Sequence, residues 1–342
     1  MLTEGNLFAA DKNLNKIQAK YFEIFKIRRE ESGVGEKTYD ISTVPEEIII
    51  FDESGEELAK INKSEITTKI KTIFDKIKNS STNTFAIPVA QELMSDLLCK
   101  QIKAGNDRKA DLHLMLYDRI TPNTKDLGFS IKSMLGSAST LLNPSQATNF
   151  TYKLIGRVNN EKINTINTKS KIRDRVEEIS NEGATLEFVD LENNEFKNNL
   201  VMTDLAFPKM IAESLKVFYS GKANNLKDVS DVLEKEGTLK KIGISKNAFD
   251  YKIKNFLVNI ALGMTPTHEW DGYSQAYGGY IIVKEDGELV CYHLYNRDEF
   301  QDYLFENTKF DTPSSTRYRY GSVYDKNEES YIKLNLQIRF IK

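Results

Sequence analysis

The chain has 342 residues, 40% of them hydrophobic and 28% charged, and carries a formal net charge of −3. That is enough apolar material for two or three domains, or one elaborated α/β unit, at roughly 100–200 residues per domain, and the acidic balance excludes nucleic-acid binding by bulk charge, so any such contact needs a local basic surface. Cys99 and Cys291 lie far apart in apolar patterns and read as reduced thiols. With three histidines and no close ligand spacing they argue against structural zinc, and the lack of a signal peptide or membrane-length apolar run points to the cytoplasm.

Residues 11–30 open with Asp11 as a helix N-cap, and Leu14, Ile17, Tyr21, Ile24, Phe25 and Ile27 follow helical spacing. The other face carries Lys12, Lys16, Lys20, Lys26, Arg28 and Arg29, either a solvated surface or one that touches phosphates. Residues 39–52 read as one strand or two and Ser54-Gly55 as a turn. Residues 57–79 resume helical spacing through Leu58, Ile61, Ile66, Ile70 and Ile73. A further amphipathic helix is expected over 87–103, with Pro88 in its first turn. Its Glu92 is either a surface residue or a carboxylate that completes a metal site on the strand that follows.

Residues 109–118 and 127–133 alternate apolar with polar side chains, as half-buried strands do. Leu112, Leu114 and Leu116 share a face opposite Asp111, His113, Met115 and Tyr117, while Phe129 and Ile131 share a face opposite Ser130 and Lys132. The connector 119–126 favours a turn, and folding about Pro122 sets 111 opposite 133, with Asp111 beside Ser130 and Lys132. A carboxylate next to a lysine can hold Mg²⁺, which takes oxygen ligands and keeps several waters. The pair can then activate water for phosphodiester hydrolysis, with Lys132 orienting that water or offsetting developing charge. An Asp followed on a neighbouring strand by acid-x-Lys is the PD-(D/E)xK nuclease pattern, and here the second element reads Ser130-Ile131-Lys132. The same residues fall one short of the S-x-x-K spacing of acyl enzymes.

Residues 134–145 form a loop rich in small hydroxyl and amide side chains, leading into a strand over 149–155. Asn143, Ser145, Gln146, Thr148 and Asn149, with Lys109 and Ser133 on the hairpin, either bond DNA oxygens and base edges or satisfy their own turns. A helix of mixed charge is expected over 160–180, then strands around 185–189 and 199–202 bracketing Asn193-Asn194. A helix over 208–219 follows, with Met210, Ile211, Leu215 and Phe218 as a core stripe. Two helical patterns over 225–262, broken by Gly237 and Gly243, read as packed core helices or as a helix-turn-helix.

The last third is richer in strands. A hairpin is expected from 278–283 and 289–295 across Glu285-Asp286-Gly287-Glu288, then a short helix near 298–306. Gly278-Gly279 precedes a strand, not a helix, so it is no nucleotide-phosphate loop. His293 is either packed in that strand or an acid–base partner of Asp271 or Asp298. The loop 312–321 interleaves Arg317 and Arg319 with tyrosines, and a final strand over 331–340 sets Asn335, Gln337 and Arg339 on one face. Those side chains either read major-groove edges or face solvent.

Several blocks, in order, resemble the HpaII family of type II restriction endonucleases. They are Phe8-Ala9-Ala10-Asp11, Leu127-Gly128-Phe129-Ser130-Ile131-Lys132-Ser133, Thr140-Leu141-Leu142-Asn143 and Ala147-Thr148-Asn149-Phe150. The likeness continues through Ala206-Phe207-Pro208-Lys209, Ala261-Leu262-Gly263-Met264, Cys291-Tyr292-His293 with Asn296-Arg297, and Leu334-Asn335-Leu336-Gln337-Ile338-Arg339-Phe340. The resemblance implies an α/β fold with a PD-(D/E)xK-like restriction endonuclease core, a mixed central sheet flanked by helices, and an additional α+β DNA-reading region. The expected division is 1–205 for N-terminal helices and nuclease core and 206–342 for the rest, packed as one elaborated unit. The implied activity is Mg²⁺-dependent cleavage of double-stranded DNA at a short palindrome, CCGG being the type member's site. The enzyme would be a two-fold dimer or a monomer, paired with a cognate cytosine methyltransferase that protects host DNA.

Asp111 then takes the metal-binding position and Lys132 the lysine position, whereas Ser130 stands where the pattern has Glu or Asp, leaving Glu92 as the substitute ligand. The resemblance also implies that relatives begin somewhat earlier than Met1. The alternative is a non-catalytic, sequence-specific DNA-binding protein on a degenerate nuclease fold, and Ser130 keeps it open.

Overall fold

The computed structural model describes residues 1–31, 33–80, 85–101, 110–118, 123–274 and 276–341. In chain order it opens with strands β1 (Asn6–Ala10), β2 (Lys16–Glu31), β3 (Gly35–Asp40), β4 (Glu47–Phe51) and β5 (Glu57–Asn62), then helices α1 (Lys63–Lys78) and α2 (Pro88–Asp96). Strands β6 (Leu112–Asp118), β7 (Asn123–Ser133), β8 (Thr140–Leu142) and β9 (Asn149–Ile155) lead to helices α3 (Asn160–Thr165) and α4 (Lys171–Asn181). Next come β10 (Thr185–Leu191), α5 (Asn194–Thr203), α6 (Phe207–Tyr219), α7 (Leu226–Lys235), α8 (Thr238–Lys241) and α9 (Lys246–Leu262). The chain closes with β11 (Gly279–Val283), β12 (Leu289–His293), α10 (Arg297–Glu306), β13 (Thr308–Phe310), α11 (Ser315–Tyr318), β14 (Val323–Lys326), β15 (Glu329–Asn335) and β16 (Ile338–Phe340). Contacts divide these into two compact units, 1–139 with 274–303, and 140–273 with 304–341. Position 205, the expected boundary, lies inside the second unit between α5 and α6.

The first unit is built on a nine-stranded mixed sheet in the order β1-β12-β11-β7-β6-β2-β3-β4-β5. β1 pairs in parallel with β12 and antiparallel with β2, so six strands close on themselves while β3 to β5 extend beyond β2. Alternate residues of those strands, among them Leu7, Phe22, Ile24, Leu114, Leu116, Phe129, Ile281 and Cys291, gather in one core with Ile48, Ile50 and Ile66. Each such side chain contributes about 1.5–3 kcal/mol on leaving water. Burial pushes the Cys291 thiol up to about 12, keeping it protonated, and both cysteines are free.

The helix expected over 11–30 is instead the 16-residue strand β2. Its register against β6 shifts between Ile24 and Lys26, and its buried apolar residues fall at Phe22, Ile24 and Ile27. A bulge puts one step of three into a period of two, and the result imitates helical spacing. Four of the basic side chains are ion-paired: Arg28 with Glu36 (3.1 Å) and with Asp126, Arg29 with Glu31 (2.9 Å), Lys26 with Asp40 (3.4 Å) and Lys16 with Glu288 (3.4 Å). The helix expected from 57 starts only at Lys63, where the Asn62 side chain accepts the Ser64 N–H (2.8 Å); residues 57–62 are β5.

The second unit holds the four-stranded antiparallel sheet β10-β9-β15-β14 and the three-stranded sheet β13-β16-β8. The expected strand at 199–202 is part of α5. Asn193 caps that helix by accepting the Phe196 N–H (2.7 Å), and Phe196, Asn199 and Leu200 are buried at helical spacing. α6 forms as expected, with Met210, Ile211 and Leu215 in the core. Residues 160–180 split into α3 and α4, and 225–262 form packed helices whose inner faces carry Leu226, Val229, Leu233, Phe249, Ile253 and Phe256. The single expected strand over 331–340 is two, β15 and β16, in different sheets. Among the described residues no helix is long and apolar enough to cross a membrane.

Candidate active site

β6 and β7 form the expected hairpin, but in a tighter register. Leu112 faces Phe129, Met115 faces Asp126 and Asp118 faces Asn123, and Asp111 lies just before this paired segment, beside Phe129 to Ile131 and not opposite 133. A pairing of 111 with 133 would have aligned Asp111 with the Ile131 face. The observed register excludes it, and Asp111 is instead a neighbour of the buried Tyr280 on the strand beyond Ser130. The Asp111 N–H donates to Phe129 O (2.8 Å), and Asp111 Oδ2 accepts the N–H of Ile131 (2.7 Å), between Ser130 and Lys132. Asp111 is exposed, Ser130 buried and Lys132 half-buried, and Lys132 has no ion-pair partner among the described residues.

β11 lies parallel to β7 on its other side, with Tyr280 beside Ser130 and Ile282 beside Lys132. Glycines allow β11 its two neighbours: Gly278 N–H donates to Gly128 O (2.8 Å) and a Cβ there would stand 2.6 Å from the Phe129 ring, while at Gly279 (φ 124°) a Cβ would stand 2.1 Å from Tyr292 O of β12. Tyr280 is fully buried against Phe300 (ring centroids 5.2 Å), and its hydroxyl has no hydrogen-bond partner among the described residues. Burial raises its phenol well above the ordinary range, with smaller contributions from Tyr303 and Asp111. Sequence reasoning missed this neighbour because Gly278-Gly279-Tyr280 reads only as a strand start. Further along the same face the His113 imidazole lies 3.8 Å from Asp126, which Arg28 also engages.

The other anticipated residues are dispersed. Glu92 is on α2, 3.9 Å from Lys69 and 61% exposed, and α2 turns Leu93 and Leu97 toward the apolar core. Ser130 and Lys132 lie on the sheet face opposite Phe129 and Ile131, and among the described residues the partner recorded for Glu92 is Lys69. Among the described residues no group of three His, Cys, Asp or Glu side chains is disposed to hold a metal ion. Lys109 lies outside the described residues, and Ser133 is exposed at the end of β7. His293 is packed in the core, its ring 4.8 Å from Phe22 and 6.5 Å from Phe129.

In the second unit Thr148, Asn149 and Asn335 are fully buried and hold strands together. Asn335 Nδ2 donates to Ser145 O (2.7 Å) and Asn149 Oδ1 (2.7 Å), while Asn149 Nδ2 donates to Glu192 Oε2 (2.7 Å) and Tyr318 O (2.9 Å). Thr148 Oγ1 accepts the Ser145 N–H (3.1 Å). Gln337 is 7% exposed and Arg339 is paired with Asp311 (3.1 Å), so the face expected to present Asn335, Gln337 and Arg339 is instead largely interior. Asn143, Gln146, Arg317 and Arg319 are exposed, with the Arg317 guanidinium 5.4 Å from the Tyr318 ring centroid.

Comparison with known proteins bears on the whole chain. The sequence model of the HpaII restriction endonuclease family matches residues 1–340. The type II restriction enzyme HpaII of Haemophilus parainfluenzae is 39% identical over 343 residues, an alignment covering 100% of this chain and 94% of that protein. No solved structure matches. With nearly every residue inside the family match and that identity held end to end, the chain belongs to the HpaII restriction endonuclease family.

Proposed function

We propose that the chain is a Mg²⁺-dependent type II endonuclease that cuts double-stranded DNA at a short palindrome, CCGG being the first sequence to test. In this reading the mixed sheet of the first unit is a PD-(D/E)xK-type core, with Asp111 as metal ligand and Lys132 as the site lysine. The observation that carries the reading is the Asp111 carboxylate held on the β7 backbone between Ser130 and Lys132, in a chain of this family. One carboxylate and one hydroxyl do not make a cage, but they fit a hard cation that keeps most of its waters and takes further oxygens from phosphate. When bound, such a cation polarises the scissile phosphate and lowers the pKa of its water.

The protein's own part is positional and electrostatic. Ile131 N–H fixes Asp111 Oδ2 and leaves Oδ1 for the cation or its water shell. Lys132 is free to neutralise charge developing on the phosphate or to orient the attacking water. Glu92 would enter only if α2 moved, so Ser130 with a DNA oxygen is the simpler completion of the site. A homodimer matching the two-fold palindrome, a cytoplasmic location and a partner cytosine methyltransferase complete the proposal.

Plasmid digestion with Mg²⁺ and with EDTA, followed by sequencing of the cut ends, tests it. D111N keeps an oxygen for the Ile131 N–H, so loss of cutting by that variant reports chemistry, not folding. K132A should lose at least about 100-fold in rate while binding DNA in EDTA as the parent does. Undiminished nicking by either variant overturns the site assignment. Specific binding without cutting by the parent itself would favour the non-catalytic alternative, toward which the serine at position 130 points.

A further inference from the structure

The second unit contains a cleft of about 1020 Å³ between the 167–173 segment, the end of α6 and the 312–316 loop. Lys169, Lys171 and Arg173 line it, and none has an ion-pair partner among the described residues. The acidic Asp228 also lines it, and the remaining cation, Lys222, is neutralised by Glu236 (2.5 Å). A second hollow of about 500 Å³ shares Lys171, Ser315 and Thr316 with the first and adds the unpaired Arg319. The two therefore form one trough whose free cations are spread along it. Arg175 braces its wall by donating to Asn164 O (2.8 Å), Gly321 O (2.6 Å) and Ser322 Oγ (3.0 Å).

Size and chemistry narrow the occupant. Small-molecule sites typically hold about 300–1,000 Å³ and are mostly apolar, with a few convergent polar groups. This trough is larger when its two parts are taken together, mixes Lys, Arg, Ser, Thr and Asn side chains with Ile172, Phe218, Val232 and Tyr324, and strings its cations out. A repeating anion with hydroxyl-bonding oxygens fits it better than one compact ligand. The chain is acidic overall, so four unpaired cations in one concavity are a local feature of the kind that phosphate backbones require.

We propose that this trough seats the sugar-phosphate backbone of duplex DNA, with Lys169, Lys171, Arg173 and Arg319 as phosphate ligands. The inference rests on the reading of the chain as a DNA-acting protein, and it assigns affinity to residues remote in sequence from Asp111 and Lys132.

The test is fluorescence anisotropy of a labelled duplex bound by the full-length protein in EDTA, over a series of salt concentrations. The K169A/K171A/R173A variant should bind at least tenfold more weakly, and its slope of log K against log salt should fall by about 2.7, at about 0.9 per phosphate contact. Arginine at 169 and 171 should retain the slope, as should K240A/K241A, which removes two cations of α8 outside the trough. Cutting at saturating DNA should keep its rate while the DNA concentration needed for half-maximal rate rises. A triple alanine variant that keeps the parent's affinity and slope overturns the trough. A parent that binds no duplex at all overturns the DNA-acting reading instead.

Discussion

Asn335→Ala separates a base-reading strand from a buried strut. In the structure Asn335 is fully buried, and its amide donates to Ser145 O and to Asn149 Oδ1, both at 2.7 Å. Truncation leaves Asn149 Oδ1 without this donor, while Ser145 O keeps the Thr148 hydroxyl (3.0 Å). At about 1–3 kcal/mol for a stranded buried group, the expected loss is about 1–3 kcal/mol. Urea unfolding followed by fluorescence reads this well, because the chain's one tryptophan, Trp270, lies in the same unit. With a denaturant slope of about 2 kcal/mol per molar, the midpoint should fall by about 0.5–1.5 M. The cut sites left by the surviving folded protein should be those of the parent. A midpoint moved by less than about 0.3 M together with relaxed sequence preference would refute the strut and restore the strand as a reader of base edges.

Two further outcomes follow from buried polar groups in the first unit. Tyr280→Phe removes a buried hydroxyl that has no partner among the described residues, so thermal unfolding should be unchanged or gain up to about 1 kcal/mol; a clear loss would mean the hydroxyl is bonded. Asp40 is pulled in two directions: burial raises its carboxyl, but N–H and hydroxyl bonds from Ser42 and Thr43 outweigh it and bring it below the ordinary 3.8. A depressed carboxyl contributes stability above its unfolded pKa and loses it as pH falls through the folded value. Asp40→Asn should therefore be less stable than the parent near neutrality, by about 1–2 kcal/mol, and the difference should close below about pH 4. A gap that persists unchanged into acid would show that the carboxylate charge is not what stabilises the turn.

Legibility in the sequence followed the range of the interactions. The β11–β12 hairpin was readable because Asp286-Gly287 sits between apolar runs, and Gly287 does take a left-handed conformation (φ 87°). α6 was readable because nine of its thirteen residues are buried around one stripe. β2 was not, since its bulge is a response to β6, ninety residues away in sequence, and locally leaves only misleading spacing. Asn199–Met202 misled for a related reason: a short apolar run suits strand or helix, and the Asn193 cap settled it.

The sequence alone determined the composition of an α/β chain, the alternation of β6 and β7, and the residue blocks that mark its family. Those are properties of neighbours along the chain. Tertiary structure decided what neighbours in space decide. Pro122 favours a turn by its chemistry, yet Asp118 pairs with Asn123, and that register brings Asp111 to the Phe129–Ile131 stretch of β7 instead of to 133. Tyr280 came to lie beside Ser130 because Gly278 lets β11 close on β7, while Gly279 lets it close on β12. The basic trough needed three separated segments to meet. Alternation specifies that a strand has two faces. Only pairing specifies which residues share one.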